Sequence, residues 1–70
     1  MPLTVAPVGK EMKVVKSLVN ANTKRHLEDL GLLVGTAVTI IADNAGDLIV
    51  KLKDSRIAIN KSLAMRIFVE

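Results

Sequence analysis

The sequence predicts a mainly β fold, a small barrel of about five short strands with one short α-helix and one further helical turn. Hydrophobic residues make up 50% of the chain and are mostly Val, Ile, Leu and Ala, a β-favouring mix that argues against disorder. They alternate with polar residues in short runs, and glycine, asparagine or aspartate turns separate those runs. One segment around His26 to Leu30 breaks the alternation with helical spacing and stops at Gly31.

Leu3 to Lys10 reads as an ordered arm with its own apolar residues and a Pro7-x-Gly9 turn. Met12 to Val19 mixes apolar residues with Lys13, Lys16 and Ser17, the pattern of a half-buried strand, with a bulge where Val14 and Val15 adjoin. Asn20 or Asn22 can cap the helix that follows, because an Asx side chain accepts from free N–H groups of the first turn. Leu27 and Leu30 share a helix face and would cover the open end of the barrel. Gly31 fits the position past the helix end, where a left-handed conformation costs glycine little, and Gly35 makes a second tight turn.

Thr36 to Ala42 alternates as a strand, with Val38, Ile40 and Ala42 on one face. The stretch Asp43-Asn44-Ala45-Gly46-Asp47 supplies a hairpin turn, with Gly46 as its glycine, and Leu48 to Lys53 follows with Leu48, Val50 and Leu52 on one side. Lys53-Asp54-Ser55 turns the chain into Arg56 to Asn60, whose Ile57 and Ile59 point inward. Lys61 to Met65 suits a single helical or 3₁₀ turn, and Arg66 to Glu70 closes the barrel with Ile67 and Val69 inward.

Seventy residues hold one core, so the chain is expected to form a single domain over 1–70. A domain of this size buries roughly 60% of the surface of its unfolded chain, and its stability is correspondingly thin. Cysteine is absent, which excludes disulfides, thiol chemistry and cysteine zinc frameworks. Apolar runs fall far short of the roughly 20 residues of a membrane span, and residues 1–20 carry no secretory core, so a cytoplasmic protein without membrane insertion is expected. Net charge is +3, from ten basic and seven acidic residues spread without blocks, a mild field compatible with simple solubility.

Taken in order, Leu3, Pro7 and Gly9 of the arm, Leu27, Leu30-Gly31-Leu32 with Gly35-Thr36, Val38 to Ile41, Gly46-Asp47, Arg56-Ile57-Ala58-Ile59, Leu63-Ala64 and Ile67-Phe68-Val69 resemble the ferrous iron transport protein A (FeoA) family. The resemblance covers nearly the whole chain and implies an SH3-like barrel. It differs at Val34, where the family usually carries proline before the glycine, and in a shortened turn around Gly46-Asp47. It further implies a small cytoplasmic regulatory protein, peripheral at the inner face of the membrane, that binds the cytoplasmic GTPase-bearing region of the ferrous iron permease, the B component. Association with a transition metal is implied by resemblance alone. Similar barrels end iron-dependent and manganese-dependent repressors, so fold likeness does not by itself choose between the roles. With the barrel taken as the complete chain, lacking a winged-helix reader, the transport accessory is expected.

Catalysis is not expected, because the single histidine, His26, sits beside Leu27 on a helix whose exposed face holds Lys24, Arg25, Glu28 and Asp29, and Ser17, Ser55 and Ser62 follow no triad spacing. A phosphate-cradling glycine-rich loop is also missing. His26, Glu28 and Asp29 are the sole local cluster of iron-compatible ligands, yet near-consecutive helical positions point around the cylinder, so neither a metal site nor a cofactor is expected. Asp43, Asp47 and Asp54 fit turns, where aspartate bonds to nearby N–H groups. Phe68 is expected to pack under the arm at Leu3 and Val5.

What remains is a surface. Leu27, Leu32, Leu33 and Val34, together with the outward cations Lys51, Lys53 and Arg56, are the expected partner-binding residues. A nucleic-acid-binding barrel is the first alternative, disfavoured because Phe68 is the sole aromatic available for stacking. A metal-responsive domain like those of the repressors is the second. Weak self-association through an open edge strand is compatible with any of them.

Overall fold

Each predicted strand forms, because each presents every second side chain to one shared core. The computed structural model describes residues 1–70, with β1 at Glu11–Ser17, α1 at Ala21–Asp29, β2 at Ala37–Asn44, β3 at Asp47–Lys51, β4 at Arg56–Asn60, α2 at Lys61–Ala64 and β5 at Ile67–Val69. A 3₁₀ turn at Leu3–Val5 precedes them and drives Leu3 into the core. The strands form one antiparallel sheet in the order β4-β3-β2-β1-β5.

Two bulges bend that sheet around its contents. In β1 the register shifts between Val14 and Lys16, and the strand there exchanges one partner for another: residues 11–13 pair with β2, whereas Val14, Lys16 and Ser17 pair with β5. In β2 the shift falls between Ile40 and Ala42, so Ile41 is the extra residue and Ala42 is only half-buried. The simple alternation expected through Ala42 therefore ends at Ile40.

The core consists of Leu3, Met12, Val14, Leu27, Leu32, Val38, Ile40, Leu48, Val50, Leu52, Ile59, Ala64, Ile67 and Val69. It contains no polar or charged side chain, and no buried side-chain polar atom lacks a partner. No helix is long and apolar enough to cross a membrane.

Both helices start as the sequence dictates. Asn20 Oδ1 accepts from Thr23 N–H at 2.8 Å at the head of α1, and Asn60 Oδ1 accepts from Leu63 N–H at 2.8 Å at the head of α2. The amino-terminal arm lies along β5: the Met1 ammonium donates to Val69 O and Val69 N–H donates to Met1 O, both at 2.8 Å. Pro2 bridges to Phe68, whose half-buried ring lies 4.9 Å from Lys16 Nζ. Farther along, Val8 bridges to Ile40 and Gly9 N–H donates to Ile40 O at 2.8 Å.

Candidate functional site

The segment from Leu27 to Thr36 is built from two interlocked turns. Helix α1 ends with Leu32 N–H donating to Leu27 O at 2.8 Å and Gly31 N–H donating to Glu28 O at 3.0 Å, with Gly31 at φ +98°. This pair of bonds is the Schellman ending, which brings the residue after the left-handed glycine back toward the last helical turn. Leu27 and Leu32 occupy those two positions. Both are buried, at 2% and 6% exposure, so neither is available to a partner, and the expectation that they share in a binding surface is corrected here. Leu30 differs in the other direction: it caps the helix, is exposed, and does not close the barrel end.

The second turn runs from Leu33 to Thr36. Thr36 N–H donates to Leu33 O at 3.0 Å, Gly35 takes φ +94°, and Thr36 Oγ1 accepts from Leu33 N–H at 3.3 Å, as in a type II turn with glycine at its third position. Gly35 N–H and Thr36 O are tied to the Val14 backbone at 2.7 and 2.9 Å, which seats the turn on the β1 bulge. Leu33 and Val34, at the outer corner, are 46% and 62% exposed. A shallow groove of about 230 Å³ between this corner, Lys24 and Glu28 of α1, and Val14 and Ser17 of β1 runs beside them.

The cations also fall where the alternation places them. Lys51 and Arg56 are direct cross-strand partners on β3 and β4, Lys53 follows in the connecting turn, and all three are exposed. They adjoin the glycine turns. A Cβ on Gly31 would lie 3.4 Å from Leu52, and a groove of about 460 Å³ is lined by Glu11, Thr36, Ala37, Lys51, Leu52 and Lys53. Leu33 and Val34 line one groove and Lys51 and Lys53 the other, with Arg56 across from Lys51 on β4. Sequence reasoning did not single out Thr36 and Thr39, which line this groove, although the alternation of β2 already set Thr39 on the face opposite Ile40.

Gly46 lies in the β2–β3 hairpin turn, but its φ is not in the left-handed region, so the turn does not require glycine there. The aspartates do not make the local turn bonds expected of them: Asp43 lies in β2 and pairs with Lys61 at 2.8 Å, and Asp47 and Asp54 accept no backbone N–H. No three of the histidine, aspartate and glutamate side chains come together in a way that could hold a metal ion.

The FeoA domain model matches this sequence over residues 1–70. The chain belongs to the FeoA family. A protein of Methanocaldococcus jannaschii described as a candidate Fe(2+) transport protein A is 35% identical over 69 residues, spanning 99% of this chain and 84% of its own length. Among solved structures, the crystal structure of an iron uptake regulatory FeoA superposes with a TM-score of 0.89 at 30% identity, covering 99% of this chain and 93% of that one. The zinc complex of FeoA from Stenotrophomonas maltophilia, described as a prokaryotic SH3 domain protein, gives 0.83 at 28% identity over 100% of this chain and 89% of that one. The barrel of this FeoA-family chain is thus SH3-like. A manganese-dependent transcriptional repressor matches with a TM-score of 0.88 but 17% identity over 40% of its length, a likeness of fold alone.

Proposed function

We propose that this FeoA-family protein regulates ferrous iron uptake by docking, from the cytoplasm, onto the GTPase-bearing region of the ferrous iron permease, the B component. The observation that carries this reading is the exposed Leu33–Val34 corner held on two glycine turns, together with the exposed cations Lys51, Lys53 and Arg56 of the β3–β4 hairpin. Exposed apolar side chains on a fixed backbone lose little conformational freedom on binding, which favours them as an anchor, and the hairpin cations orient an acidic partner. The role as a ferrous iron transport activating factor proposed for the Stenotrophomonas relative fits a protein that works by contact. The reading uses no metal.

Capture of the purified GTPase-bearing region on immobilised protein tests the reading. Retention by the wild type, lost in Leu33→Asp with the fold intact, is expected. Absence of retention at tens of micromolar protein would count decisively against it.

A further inference from the structure

The two edges of the sheet are treated differently. At β5 the amino-terminal arm closes the edge, through the reciprocal Met1–Val69 hydrogen bonds and the Pro2–Phe68 bridge. At β4 nothing does: Arg56–Ile59 pair with β3 alone, and no other backbone group bonds to them. An antiparallel strand directs its N–H and C=O groups alternately to either side, so β4 presents a row of unpaired donors and acceptors outward. Its register with β3 is unbroken from Asp47↔Asn60 to Lys51↔Arg56, and it contains neither proline nor a bulge. Of the usual devices that blunt an edge, only Arg56 and the short length are present.

Charge selects what would pair there. Lys51 and Arg56 stand directly opposite each other, an arrangement that like charges disfavour, and neither has an acidic partner, since the one ion pair of the molecule is Lys61–Asp43. Lys53 adds a third unpaired cation in the adjoining turn, while Glu11 and Asp54, the nearest acids along the sheet and chain, form ion pairs with none of the three.

We infer that β4 is a site for strand addition by an extended acidic segment of a partner protein, its backbone pairing with Arg56–Ile59 and its carboxylates meeting Arg56, Lys51 and Lys53. This rests on the partner-docking reading above and names how the partner is held. A second copy of this chain is the poorer occupant, because each copy brings a net charge of +3 and the same cations to the edge.

The test uses the full chain, isotopically labelled, and a blocked peptide alternating valine or threonine with glutamate. Binding is followed by amide shifts and hydrogen exchange at Arg56–Asn60. The glutamate peptide is expected to slow exchange at the outward amides of β4 and to bind at least tenfold more tightly than the same peptide with lysine for glutamate. Methylating alternate peptide nitrogens, in either phase, should abolish binding in one phase while leaving charge unchanged, and Arg56→Glu should weaken binding at least tenfold. Equal binding of both charge types, indifference to N-methylation, or no change at β4 at millimolar peptide would overturn the inference. So would concentration-dependent self-association that protects β4. The two proposals fail separately: capture of the GTPase-bearing region that Arg56→Glu leaves intact removes the strand-addition site alone, whereas peptide binding at β4 without such capture removes the choice of partner.

Discussion

Gly31 and Val34 show how single residues set this surface. Valine at position 31 would place a β-branched side chain at φ +98° and push a methyl group toward Leu52, whose Cδ1 lies 3.4 Å from the site of a Cβ. Left-handed backbone costs an L-residue about 1–2 kcal/mol, and β-branching adds to it, so Gly31→Val should lower the thermal midpoint by several degrees. Gly46→Ala, free of both constraints, should leave the midpoint nearly unchanged in the same calorimetric series. Val34 occupies the second position of a type II turn, where proline is favoured, and its N–H takes part in no backbone hydrogen bond. Restoring the family's proline by Val34→Pro should therefore stabilise the protein by about 0.4–1 kcal/mol through the unfolded chain, measurable by urea denaturation. A loss of stability there would show that the turn is not of the assigned type.

At the scale of elements, the helix ending and the basic hairpin divide stability from binding. Leu32 and Leu33 are neighbours in sequence, yet the Schellman bonds turn Leu32 into the core and leave Leu33 at the surface. Leu32→Asp should unfold the chain, because a buried carboxylate costs several kcal/mol that so small a domain cannot absorb, whereas Leu33→Asp should keep a native circular dichroism spectrum. In the β3–β4 hairpin, Arg56→Glu replaces cross-strand repulsion from Lys51 by attraction and should raise stability by a few tenths of a kcal/mol while weakening an acidic partner. Denaturation and binding measured on the same variant would move in opposite directions. If both fell, Arg56 would be a structural residue.

Much of this division was legible in the sequence. Strand alternation marks Leu48, Val50, Leu52, Ile59, Ile67 and Val69 as core, Gly31 marks the helix end, and its start narrows to Asn20 or Asn22, of which the structure uses Asn20. The same Gly31, with apolar residues four before and one after it, also carried the signal that Leu27 and Leu32 fold against each other, and a binding role for them overlooks that consequence. The bulge at Ile41 and the arm's closure of β5 depend on pairing between segments distant in the chain, which local patterning does not encode.

Across the whole molecule, an apolar core with no buried charge leaves all of the ionisable chemistry on the outside. The barrel's contribution is rigidity: two bulges curl the sheet, the arm seals one edge, and the Leu33–Val34 corner and the Lys51–Arg56 pair are displayed at the surface. The measurement that tests this account most directly is calorimetric titration of the permease's GTPase-bearing region with the wild type and with Leu33→Asp. Saturable binding at tens of micromolar or tighter by the wild type, absent in a folded Leu33→Asp, is the predicted result. Equal binding by both proteins, or none by the wild type, would contradict it.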